Sequence, residues 1–243
     1  MQRKDTQPRL IRAMIDIFTL PDLRRKLLFT LGLLVVFRFV THVPLPGVDP
    51  AALQELFEQN QILGMLDLFS GGAMRRFSVA ALGVYPYITA SIIMQLLVPV
   101  IPSLQSIAQE GEAGQRKINR ITHLLTIPLA ALSGYGQLSL LHSQNAIGYL
   151  EPLTIVVVVI SLTAGTVFLV WLGELITERG VGNGISIIIF AGIVASLPEM
   201  VGRGFLAKEN PLGLITFIIL SLATVVFIVM FIEAHRRIPV QYA

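Results

Sequence analysis

The chain has 243 residues, 54% of them hydrophobic and 14% charged, with a mean hydropathy of +0.74. That is too apolar and too weakly charged for a soluble domain of this length, and it indicates an integral membrane protein. The absence of cysteine excludes disulfides, thiolate metal sites and cysteine nucleophiles, and the net charge of +3 bears on membrane orientation rather than on a nucleic-acid partner.

The opening segment, MQRKDTQPRL, lacks the long apolar core and small-residue cleavage site of a removable signal peptide, so none is expected. Leu10, Ile11, Met14, Ile15 and Phe18 recur at helical spacing with Arg9, Arg12 and Asp16 between them. This predicts an amphipathic helix lying at the membrane interface within 1–22 and stopping at Thr19-Leu20-Pro21. A first span follows over 27–43, carrying Arg38 in its outer half with His42 one turn on. Snorkelling to the interface accounts for Arg38. Pro44-Leu45-Pro46-Gly47 then turns the chain. After an acidic stretch comes Ile62-Leu63-Gly64-Met65-Leu66-Asp67-Leu68-Phe69-Ser70-Gly71-Gly72, whose helical part reaches only about 14 Å at 1.5 Å per residue. It is expected to enter the membrane zone without crossing it, with Gly71 and Gly72 as a hinge.

Between Arg76 and Glu110 there is no Asp, Glu, Lys or Arg, and a second span is predicted over 77–101. It contains Pro86, Tyr85, Tyr87, Thr89, Ser91 and Gln95, polar groups that lipid cannot satisfy, so this span needs protein neighbours or an aqueous path. Further spans are predicted over 121–141 (with Pro128 inside), 152–173, 181–197 (short and flanked by glycines) and 211–232, six in all. Arg3, Lys4, Arg9, Arg12, Arg24, Arg25, Lys26, Arg116, Lys117, Arg120, Arg179, Arg236 and Arg237 fall on one side. Arg75, Arg76, Arg203 and Lys208 fall on the other, which predicts cytoplasmic termini. Arg116, Lys117 and Arg120 are read as topology signals with anionic lipid contact.

Catalytic signatures are missing: no HExxH, GxSxG, GxxxxGK[ST] or paired intramembrane aspartates occur. Glu174 and Glu178 share a helix face but lie at a membrane edge beside Arg179, with no protected site for acid–base work apparent from the sequence. A secondary transporter is the alternative reading, since broken helices occur there too. Five of the six spans carry no ionisable residue near mid-membrane, which argues against an ion-coupled carrier.

Five motifs taken together are specific: HVPLPGVD (42–49), LDLFSGGAMRRFSVAALGVYPYITASIIMQLL (66–97), EGEAGQRKINR (110–120), GELITERGVGNGISIIIFAGIVASLP (173–198) and EAHRRIPVQYA (233–243). In this order and spacing they resemble the SecY family, the channel subunits of the bacterial protein-conducting translocon. The resemblance implies an all-α polytopic transmembrane bundle. Family members have ten spans in two inverted halves of five, so this sequence corresponds to the first half (23–200) plus a sixth span and the start of a cytoplasmic loop (201–243), a portion of a longer polypeptide.

The implied function is passage of unfolded secretory polypeptides across the bacterial plasma membrane, with lateral release of membrane helices into lipid. By motif, Val84, Ile88, Ile185 and Ile189 correspond to an apolar pore ring, and each pair shares a helix face at i, i+4. Residues 62–72 correspond to a plug, Ile92, Gln95 and Leu96 to a lateral gate face, and Arg236 and Arg237 to a contact with the ribosome or the motor ATPase SecA. Implied partners are SecE, SecG, signal peptides, nascent chains and lipid. No cofactor and no enzymatic activity are expected.

Overall fold

A computed structural model describes residues 20–46, 48, 53, 55–57, 60, 63–64, 67, 70–144, 147–148, 151–206 and 211–234. The amphipathic helix expected within 1–22 lies almost entirely outside the described residues, as do Arg236 and Arg237 and, within the plug segment, Ile62, Met65, Leu66, Leu68 and Phe69.

Seven helices can be named, and six occupy the six predicted spans. They are α1 (Pro21–Val40), α2 (Tyr85–Leu97), α3 (Pro102–Ala108), α4 (Glu112–Ser143), α5 (Pro152–Arg179), α6 (Gly184–Leu206) and α7 (Pro211–Glu233). By length and apolar character alone, α4, α5 and α7 can cross a membrane, and α2 with α3 makes a fourth candidate if that pair, bent by 102°, counts as one span. In α6 the apolar stretch is shorter, covering Gly184–Pro198. The centre of α1 is apolar between Arg24, Arg25 and Lys26 at one end and Arg38 at the other. Proline stands at the first turn of α1, α2, α3 and α5, where its missing N–H has no intrahelical partner to lose.

Residues 1–196 form one compact unit and 197–243 another. In the first, α4 packs against α2, α3 and α5, and α1 packs against α5. One face of α4 explains the close approach: Gly114, Ile118, Thr122, Thr126, Ala130, Gly134, Leu138 and Leu141 are its buried residues, an i, i+4 stripe that is largely small. Without a hydrophobic drive between helices in lipid, small residues let backbones meet. Thr122 and Thr126 return their hydroxyls to the carbonyls four residues back, at 2.9 and 2.8 Å, leaving no bare donor at the contact. The described part of α7 is exposed along its apolar length.

The second predicted span differs from its expected form. Residues 71–84 are turns, and the helix begins only at Tyr85. The cause is tertiary. Leu45 N–H donates to the Phe77 carbonyl at 2.9 Å and Val79 N–H to the Val43 carbonyl at 3.0 Å, an isolated bridge of Pro44 with Ser78. That pairing takes the backbone groups a helix would use. Phe77 has φ +44, a left-handed conformation that is costly for an aromatic residue, and it is offset by burial of a side chain only 1% exposed.

Candidate functional site

Two segments a hundred residues apart meet in the first unit. Val84 ends the turn segment and is buried, Ile88 lies one turn into α2, and Ile185 and Ile189 lie in the first two turns of α6. Val84 belongs to a buried apolar cluster with Phe37 of α1, Ala73 and Ala80 of the turn segment, Leu169, Leu172 and Ile176 of α5, and Ile188 of α6, and Ile88, Ile185 and Ile189 pack against that cluster from its margin. Ile88, Ile185 and Ile189 remain partly exposed while Ile188 is 3% exposed, so α6 presents a buried edge beside a more open one.

Glycines fix how closely these elements approach. A Cβ on Gly184 would overlap the Gly173 carbonyl oxygen, and one on Gly173 would lie 2.5 Å from the Ile185 Cδ1. A Cβ on Gly165 of α5 would overlap the Val79 carbonyl oxygen, so α5 holds the non-helical segment by direct backbone contact. Irregular backbone at this depth is tolerated where protein covers it, and Ser78, Ala80 and Ala81 are each at most 1% exposed.

Of the plug residues, Leu63, Gly64, Asp67, Ser70, Gly71 and Gly72 are described. Asp67 and Ser70 are buried and bonded. Asp67 Oδ1 accepts from Ser70 Oγ at 3.1 Å and from the Arg75 N–H at 3.0 Å, and its Oδ2 lies 3.6 Å from Arg75 Nε. Ser70 Oγ in turn accepts from Met74 N–H at 3.0 Å. Gly71 and Gly72 have φ +67 and +83. Their glycine identity follows from this left-handed turn and, at Gly71, from a Cβ position only 2.9 Å from the Gly192 Cα of α6. In this conformation the expected hinge is a left-handed turn packed against α6.

Arg38 does more than snorkel: its Nη1 donates to the Gly71 carbonyl at 2.6 Å. The Arg38 carbonyl accepts from Thr41 Oγ1 at 2.7 Å and pairs with His42 Nδ1 at 2.7 Å, and His42 Nε2 lies 2.6 Å from Arg76 Nη1. The network assigns the tautomer: with Nδ1 donating to a carbonyl, Nε2 is left to accept from Arg76.

Ile92, Gln95 and Leu96 share one exposed face of α2. A contact absent from the sequence reading joins three helices: His123 Nε2 of α4 lies 2.7 Å from Glu174 Oε1 of α5, and the His123 ring sits 5.4 Å from that of Tyr87 in α2. Glu174 therefore has a partner, which only the register of α4 against α5 reveals. An open apolar groove of about 670 Å³, lined by Ile127, Val159, Ile160, Val167, Phe168 and Trp171 among others, lies between α4 and α5 and shares only Phe168 with the partly buried margin of the cluster.

The SecY family model matches residues 78–243. The chain is 46% identical over 253 aligned residues to the protein translocase subunit SecY of Streptomyces lividans, covering 96% of this chain and 57% of that protein. It is 44% identical to the subunit of Vibrio cholerae, covering 92% and 52%, and 39% identical to that of Staphylococcus aureus, covering 96% and 57%. The chain thus spans about half the length of the curated relatives it matches. Two solved structures share the fold. Sec61 in a canine ribosome–channel complex has TM-score 0.60 at 21% identity, over 89% of this chain and 49% of that one. A structure titled as a protein conducting channel has TM-score 0.52 at 23% identity, over 83% and 41%. These matches, with the apolar helices, describe a multi-pass membrane protein.

Proposed function

The chain belongs to the SecY family, and on that premise we propose that it forms part of the central subunit of a channel that passes unfolded polypeptides across the bacterial plasma membrane. The observation that carries this reading is that Val84, buried in one apolar cluster, and Ile88, Ile185 and Ile189, packed against it, gather from two distant segments beside a buried non-helical segment. A collar of flexible apolar side chains dewets when empty and deforms around a chain when occupied. Such a collar holds back ions at rest and still admits a polypeptide of varied side chains.

Residues 23–200 correspond in this reading to the first half of the channel, with 62–72 as the plug, and 201–243 to the beginning of the second half. Ile92, Gln95 and Leu96 form the face on which a signal peptide or membrane helix leaves for lipid. Their common exposure on α2 supports that role, because an apolar face with Gln95 at its centre suits a helix that is exchanged. The basic residues at both ends of the chain support a cytoplasmic position for both ends, where Arg236 and Arg237 would contact either ribosomal RNA phosphates or SecA. The Sec61 neighbour comes from a ribosome–channel complex. SecE and SecG complete the assembly.

The test is transport by the full-length channel reconstituted in lipid vesicles with SecE, SecG, SecA and ATP. An unfolded secretory precursor is expected to become protease-protected inside the vesicles, and the same vesicles should take up no small labelled solute by exchange. Solute uptake without precursor protection would overturn the channel reading.

A further inference from the structure

The turn that begins at the end of the plug segment, with Gly71 and Gly72, is held on two sides by different helices. On one side, the Arg38 guanidinium in the last turn of α1 donates to the Gly71 carbonyl at 2.6 Å. Just past the end of α1, His42 takes a second hold five residues further along the turn, its Nε2 lying 2.6 Å from Arg76 Nη1. On the other side, Gly71 abuts Gly192 of α6 with no room for a side chain. Between these holds, hydrogen bonds and an ion pair tie Asp67, Ser70 and Arg75 together.

Resting on the channel reading above, we propose that Arg38 is a positioning residue: a latch that clamps this turn against Gly192 and thereby keeps the resting channel shut. The physical argument is one of shared parts. Ile185 and Ile189, which pack against the apolar cluster, are on the same helix as Gly192. Widening the cluster moves α6 away from α1, which takes Gly192 off Gly71 and leaves the turn held by α1 alone. The charge-assisted bond from Arg38 then decides whether the turn stays or swings. A hydrogen bond to a charged donor is strong where water is scarce, and Gly71 is buried. Width of the ring and position of the seal are coupled through one carbonyl.

The experiment measures resting ion conductance of the full-length channel with its partner subunits in planar bilayers, with no substrate present. Arg38→Met is expected to raise the open fraction about tenfold, the effect of losing a charge-assisted bond partly replaced by water, while Arg38→Lys, which keeps a charged donor, stays within about threefold of wild type. Gly71→Ala, which forces the same carbonyl away from its place, should raise conductance as well. The double variant should conduct no more than the greater single one, because both act on one contact. Conductance of Arg38→Met equal to wild type, or full additivity with Gly71→Ala, would overturn the latch. Should Arg38→Met fail to accumulate, Arg38→Gln is read in the same cycle. Wild-type channels from the same preparation are tested for precursor transport: if they carry none, the channel reading fails, whereas transport with an unaltered Arg38 variant removes the latch alone.

Discussion

Replacing Gly165 by leucine is expected to reduce the accumulated full-length protein several-fold, whereas Gly136→Leu should leave it near the wild-type level. Both glycines lie in long apolar helices, α5 and α4, so the difference isolates packing from helix propensity. At Gly136 an added Cβ meets nothing within 4 Å. At Gly165 it would overlap the Val79 carbonyl oxygen, with the Val79 Cγ1 only 2.8 Å away. The obstacle is backbone, which cannot rotate aside as a side-chain end can. The turn segment 71–84 must then shift, and with it Phe77, Ala81 and Leu162 of one buried cluster and Val84 of the other. Overpacking of a close-packed interior costs about 1–3 kcal/mol and sometimes more, and 1–2 kcal/mol is enough to change cellular abundance several-fold. Quantitative immunoblotting of membranes, with detergent-solubilised thermal unfolding as a second measure, reads the result.

Asparagine at both Ile88 and Ile189 is expected to raise the resting ion leak of the full-length channel about a hundredfold. Both residues are partly exposed at the apolar cluster, and an amide there gives water two donors and an acceptor where the isoleucine gives none. Removing the apolar surface of one isoleucine weakens the drive to dewet by about 1.5 kcal/mol, the low end for a buried side chain. Each 1.36 kcal/mol off a barrier is tenfold in rate, so two substitutions give about two orders of magnitude. Phe190→Asn on the exposed face of α6 serves as the control and should not leak. Single-channel conductance and fluorescent-solute entry into vesicles measure the same quantity independently.

The residues made the helices and the pairings of motif positions legible. Charge-free lengths marked the spans, and the i, i+4 spacing of Ile185 with Ile189 put that pair on one face of α6, whereas Val84 is the non-helical N-cap of the helix that carries Ile88. Their meeting across a hundred residues came from the family resemblance, because periodicity within one helix carries no information about its neighbour. The start of α2 was not legible. Residues 77–84 are as apolar as those that follow, and only the pairing of 43–45 with 77–79 shows why they are not helical.

Gly71 and Gly72 suggest freedom when seen in a sequence, and the structure adds a second reason for glycine there, a left-handed turn and, at Gly71, the approach to Gly192. Arg38 and Glu174 were each explained as edge residues near the interface. Their partners, the Gly71 carbonyl and His123, lie 33 and 51 positions away along the chain and become neighbours only through helix packing. The polar groups of a membrane bundle are thus the least legible part, since each needs a partner that the sequence does not place next to it.

The central claim, that the cluster of Val84, Ile88, Ile185 and Ile189 borders the path of a polypeptide, is tested most directly by photocrosslinking. A photoreactive residue at Ile88 of the full-length channel is presented with a stalled secretory nascent chain on the ribosome, with Val156 on the exposed face of α5 as the reference position. Strong adducts from Ile88 and none from Val156 are the predicted result. Equal labelling at the two positions, or none at Ile88 while the nascent chain is shown to be bound, would contradict it.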